Sequence, residues 1–119
     1  MARMMLDGYK IAIPVGEDWR FDLIVLKDSK LVRVQCKYVT SDGQFISVPC
    51  KSSNNWNVKK YTPDEIDWLV VYDRTTDKCY YIPSALLGCN GRHDLRLRVT
   101  ASKNGQLKNI RYAKDFETW

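Results

Sequence analysis

The stretch Leu31 to Tyr38 alternates so regularly that it reads as an extended strand with two unlike faces. Successive side chains on a strand point to opposite sides. Val32, Val34 and Cys36 therefore share an apolar face, while Arg33, Gln35 and Lys37 share a polar one. Just upstream, Phe21 to Leu26 is a second strand-like run, and the polar connection Lys27-Asp28-Ser29-Lys30 is short enough for a hairpin. A two-residue loop at Asp28-Ser29 sets Lys27 opposite Lys30 and Leu26 opposite Leu31. That register runs back until Asp22 faces Gln35, with Cβ atoms about 4.5–5.5 Å apart. A slip of one residue would send Asp22 to the other face, so the turn decides the outcome.

The same rules divide the rest of the chain. Tyr9 to Ile13, Phe45 to Val48, Trp68 to Tyr72, Cys79 to Ile82 and Leu95 to Val99 read as strands, with Asp42-Gly43 and Asn104-Gly105 as turns. Residues 49–60 are polar and without a period, which predicts a mobile loop. Thr62-Pro63-Asp64-Glu65 has the form of a capping box opening a short helix. Ser84 to Leu87 allows one helical turn, and 110–119 a short terminal helix. Ala2 to Leu6 leaves room for about one turn. The expectation is an α+β fold, rich in hairpins and poor in helix.

At 119 residues there is room for one domain, 1–119, around one modest core. With 45% hydrophobic and 28% charged residues the composition is that of a globular chain, not a disordered one. No apolar run nears the roughly 18 residues of a membrane span, and the start lacks a signal-peptide pattern. The reading is therefore a cytoplasmic protein without a membrane partner. Cys36, Cys50, Cys79 and Cys89 form no CxxC pair, so they read as small buried hydrophobes. The competing zinc reading joins Cys89 and His93 to Cys50 and Cys79, without the paired close spacing of structural zinc sites.

On the hairpin, a carboxylate, an amide and an ammonium converge at Asp22, Gln35 and Lys37. Asp22 offers a hard anionic oxygen suited to Mg²⁺; the Gln35 amide oxygen and the Cys36 backbone carbonyl offer neutral ones. Lys37 would orient a water or offset charge developing on a phosphoryl group. The same residue types also occur by chance on surface hairpins, so the spacing alone leaves both readings open.

The run from Ile11 to Lys37 resembles the PD-(D/E)XK nuclease superfamily. More closely it is similar to group I intron-associated homing endonucleases, in which the acidic motif residue is often Gln. The segments YTPDEIDWLVVYD, CYYIP, LRLRV and NGQLKNIRYAKDF extend the resemblance along nearly the whole chain. It implies a restriction-endonuclease-like core with a central mixed sheet and few short helices. It also implies Mg²⁺-dependent (or Mn²⁺-dependent) cleavage of double-stranded DNA by Asp22, Gln35 and Lys37, and a homo-oligomer, since both strands must be cut.

Two features depart from that pattern. Phe21, not proline, precedes Asp22. The family's N-terminal helix, which carries a metal-binding glutamate, is largely missing from Met1 to Leu6. A catalytically impaired DNA-binding or interaction domain is therefore the alternative to a homing-type or structure-selective endonuclease. The short N-terminus also leaves the sheet face of Ile11, Ile13, Leu23 and Val25 without a helix. A second copy of the chain or an upstream segment is expected to cover it, with 110–119 as the remaining candidate.

The formal charge of +5 gains meaning from where it falls. Lys51, Asn54, Asn55, Lys59 and Lys60, beside Trp56, suit phosphate contacts from the 49–60 segment. Arg92, Arg96 and Arg98 form a second cluster, with Arg96 and Arg98 on one strand face. The alternative for that face is charge that discourages edge pairing.

Overall fold

A computed structural model describes residues 7–16, 19–49, 51–53, 58–60, 65–87, 94–100 and 111–119. The hairpin organises it. β2 (Leu23–Lys27) and β3 (Lys30–Val39) pair antiparallel, with Lys27 opposite Lys30 and Leu26 opposite Leu31. Asp28 and Ser29 both take positive φ, 51° and 66°. That is the two-residue turn whose twist matches the flanking strands, so the expected register holds through Leu23 opposite Val34.

Around this pair stands a five-stranded sheet in the order β1-β2-β3-β7-β8, with β1 at Lys10–Ala12, β7 at Trp68–Asp73 and β8 at Lys78–Pro83. β3 and β7 run parallel and the other neighbours antiparallel, so the sheet is mixed. β4 (Phe45–Pro49) and β9 (Asp94–Arg98) form a separate antiparallel pair. Asp42 starts β4: its Oδ1 accepts the N–H groups of Gln44 and Phe45 at 2.8 and 2.9 Å, beside Gly43 at φ 87°.

The alternation of β7 and β8 buries both sheet faces. On one face Leu69, Val71, Tyr80 and Ile82 pack with Ile46, Val48, Leu95 and Leu97 of the β4–β9 pair. On the other, Leu23, Val25, Val34, Val70 and Tyr81 form a second cluster, edged by Cys36, Cys79 and Trp119. The covered face of β4–β9 is apolar and its outer face carries Phe45, Arg96 and Arg98, as strand periodicity requires.

Four expectations are corrected. The α+β expectation holds only in part, because the described residues are mostly strand; their helical elements are two 3-10 turns, Ser84–Leu86 and Ala113–Phe116. Residues 49–60 are not simply a loop. Lys51–Ser53 (β5) pairs antiparallel with Val58–Lys60 (β6), two short segments that satisfy each other's backbone groups without needing a side-chain period. The described part of the expected capped helix, Glu65 to Asp67, is a turn and bend. Thr62 to Asp64, Asn104-Gly105 and Met1 to Leu6 lie outside the described residues.

The fourth correction concerns the face expected to need a second copy. Leu23 and Val25 are 4% and 0% exposed within the single chain. Trp119 stacks on Tyr81 at 4.8 Å and meets Tyr9 and Trp68 edge-on at 5.3 and 5.5 Å. The terminal segment thus covers this cluster. Ile13, beyond β1, stays 63% exposed. Replacing a large core aromatic by Ala costs about 3–5 kcal/mol when it is fully buried. For the half-buried Trp119→Ala we expect a loss of about 2 kcal/mol, read as a lower urea midpoint with an unchanged m-value.

Candidate active site

Asp22 stands one residue before β2. Its N–H donates to the Val34 carbonyl at 2.8 Å. The register of the hairpin assigns that carbonyl to Leu23, so the ladder steps by one residue here, as at a β-bulge. The expected strand from Phe21, with Asp22 squarely opposite Gln35, is corrected accordingly. Aspartate explains the break, because its short side chain competes with strand pairing for nearby backbone donors. The Cys36 N–H donates to Asp22 Oδ2 at 3.0 Å. The carboxylate thus takes a donor that a continuous β2 would have paired with backbone.

This places an exposed carboxylate at the middle residue of Gln35-Cys36-Lys37. In antiparallel pairing a residue turns its N–H and its C=O to the same neighbour. The Cys36 carbonyl therefore lies on the same edge as the Asp22 carboxylate, beyond the last β2 pairing. Gln35 and Lys37 sit in register with Leu69 and Val71. Their side chains rise from the face that carries the β4–β9 pair, and both are half-buried. Cys36 turns to the opposite cluster, where burial pushes its thiol above the ordinary range.

Two ion pairs flank the site, and neither had a local signal in the sequence. Arg33, two residues before Gln35, grips Asp67 with Nε to Oδ2 at 3.2 Å and Nη2 to Oδ1 at 3.1 Å. The Arg33 N–H donates to the same Oδ2 at 2.7 Å. Hydrogen bonding from Arg33 holds the Asp67 carboxyl below the usual range. Arg20, two residues before Asp22, pairs with Glu65. The partners are 34 and 45 residues apart, beyond the reach of any periodicity.

The oxygens of Asp22, Gln35 and Cys36 suit Mg²⁺, which binds through one or two carboxylates completed by waters and substrate phosphates. Among the described residues no three His, Cys, Asp or Glu side chains gather as a metal cluster. Of the residues in the competing zinc reading, Cys50, Cys89 and His93 lie outside the described residues, and Cys79 packs against the second core cluster.

The basic residues fall in two places. Arg96 and Arg98 hold their guanidinium carbons 4.7 and 4.8 Å from the Phe45 ring centroid, on the outer face of β4–β9. Lys51, Lys59 and Lys60 belong to the β5–β6 ribbon. Asn54, Asn55, Trp56 and Arg92 lie outside the described residues. No helix among the described residues is long and apolar enough to cross a membrane.

Comparison with known proteins bears on the fold and the family. No curated protein matches the chain. Among solved structures, a bacterial homing endonuclease, I-Ssp6803I, superposes with a TM-score of 0.64 at 16% sequence identity, covering 97% of this chain and 78% of its own. At that identity the likeness speaks for a shared fold. The family described as PD-(D/E)XK endonuclease matches residues 1–119, the whole of the sequence. From that match, the chain belongs to the PD-(D/E)XK endonuclease family.

Proposed function

We propose that this chain is an Mg²⁺-dependent DNA endonuclease of homing or structure-selective type, acting as one domain over 1–119. The observation that carries the reading is the Asp22 carboxylate held on the Cys36 N–H at 3.0 Å, beside Gln35 and Lys37. In this reading Asp22, the Gln35 amide oxygen and the Cys36 carbonyl would hold the metal; Mn²⁺ would suit the same oxygens. A bound Mg²⁺ would supply Lewis-acid polarisation of the phosphoryl oxygen and a more acidic water. Lys37 would orient the attacking water and offset negative charge that grows on the phosphate. The Cys36 N–H fixes one lone pair of Asp22, which limits its rotation and leaves the other oxygen for the metal.

Double-stranded DNA is the partner this site calls for. Lys51, Lys59, Lys60, Arg96 and Arg98, with Asn54, Asn55 and Arg92, would contact its backbone. Such contacts position a duplex without reading its sequence. Two strands require two cuts, which supports a homo-oligomer. The neighbour I-Ssp6803I, a homing endonuclease by name, supports the homing type.

Incubation with supercoiled plasmid tests the proposal. Nicked or linear product is expected with Mg²⁺ and not with chelator. A second reading, a catalytically impaired DNA-binding or interaction domain, is favoured by the lack of a three-ligand acidic cluster among the described residues. DNA retention without cleavage in either Mg²⁺ or Mn²⁺ would establish that reading instead.

A further inference from the structure

We infer that the Arg20–Glu65 ion pair positions Asp22, through a closed ring of contacts that begins and ends on β3. The inference rests on the reading of Asp22 as a site residue. Asp22 lies outside the hairpin ladder, so the regular pairing of β2 does not fix it. Two hydrogen bonds tie it to β3, its own N–H to Val34 and the Cys36 N–H to its carboxylate. Upstream, Arg20 Nε donates to Glu65 Oε2, and Phe21 packs against the core on the β4–β9 side. Glu65 in turn sits two residues before Asp67. Asp67 is bound to β3 from both directions: its N–H donates to the Arg33 carbonyl at 2.9 Å, and its carboxylate receives the Arg33 backbone and guanidinium.

The ring therefore runs from Cys36 to Asp22, to Arg20, to Glu65, to Asp67, to Arg33 and back along β3. Every link is a short hydrogen bond, an ion pair or two to three residues of chain. Opening it at Arg20–Glu65 leaves the packing of Phe21 to anchor the chain upstream of Asp22. The carboxylate then spends more time away from the Cys36 N–H. This loosens Asp22 without touching it, so Glu65 is a positioning residue and not a catalytic one.

Amide hydrogen exchange at Cys36 reads the loosening directly and needs neither metal nor DNA. In Glu65→Gln we expect exchange at Cys36 to rise about three- to fivefold, the scale that a part-exposed ion pair supports. The Val70 amide, in the sheet core, should not move. Asp22→Ala sets the upper limit of the effect. The charge-swapped pair, Arg20→Glu with Glu65→Arg, should bring Cys36 exchange back toward wild type. In Mg²⁺ titrations of plasmid cleavage, Glu65→Gln should need several-fold more metal and keep most of its rate at saturation. Unchanged Cys36 exchange in Glu65→Gln overturns the inference, as does a swapped double variant no better than the singles. A wild type that never cleaves DNA would defeat the nuclease reading and leave the exchange result to judge the ring on its own.

Discussion

Asp22→Ala is expected to lower Mg²⁺-dependent cleavage by about a thousandfold or more, because it removes the anionic metal ligand. Its structural cost should be small. The Cys36 N–H loses an acceptor at an exposed edge, where water replaces it, so stability falls by less than about 1 kcal/mol. Lys37→Met should lower cleavage by about a hundredfold or more, since one preorganised charge near a developing anion is worth that much. Methionine keeps an apolar stem against the half-buried surroundings of Lys37. The two variants separate in a metal titration. Asp22→Ala should shift the Mg²⁺ requirement, whereas Lys37→Met should lower the plateau and leave the midpoint near wild type. Thermal melting of each variant checks that the fold survives. Vigorous Mg²⁺-dependent cutting by Asp22→Ala would remove this edge of the sheet from consideration as the active site.

What the sequence could tell depended on distance along the chain. The hairpin was legible because two residues, Asp28 and Ser29, set its register, and every pairing from Lys27–Lys30 to Leu23–Val34 follows from them. The shared face of Gln35 and Lys37 followed from strand period alone. The break at Asp22 was not legible, because periodicity assumes that the ladder continues. In the fold the Asp22 side chain competes for the Cys36 N–H. The β5–β6 ribbon escaped for a related reason. Strands of three residues pair through backbone groups and leave too short a pattern to detect.

The flanking ion pairs and the Trp119 contacts are long-range by nature. Arg33 and Asp67 look like ordinary surface charges until β3 and β7 lie side by side. The terminal tryptophan meets Tyr9, Trp68 and Tyr81 from three distant segments. From the sequence the face of Leu23 and Val25 reads as bare, with residues 110–119 as one candidate cover, because nothing local ties that segment to the sheet. One large aromatic ring was enough to overturn that.

Asp73→Ala should be the most destabilising of the substitutions considered, by about 3 kcal/mol, because it strands several buried donors at once. Asp73 ends β7 and is 0% exposed. Its carboxylate accepts the Ser41 N–H and Oγ–H, both at 2.8 Å, and the Thr76 N–H and Oγ1–H at 3.2 and 3.0 Å. It thereby joins the loop after β3 to the turn between β7 and β8, where Asp77 sits at φ 55°. Burial by itself would raise the Asp73 pKa, but the hydrogen bonds from Ser41 and Thr76 outweigh it and hold the group below its ordinary value. A carboxyl whose folded pKa is depressed contributes stability that is complete above its unfolded value, about 3.9. That contribution is lost as the pH falls through the lower folded value. The wild type should therefore lose stability below about pH 4, and Asp73→Ala should lose less over the same interval because it no longer carries this group. At neutral pH the variant should melt about 10 °C lower. Asp73→Asn should fall between the two, since it keeps one acceptor oxygen but turns an NH₂ group toward donors on Ser41 and Thr76. Melting curves for the three proteins at neutral and acid pH test this. An Asp73→Ala protein with wild-type stability at pH 7 would show that these hydrogen bonds do not hold the two loops together.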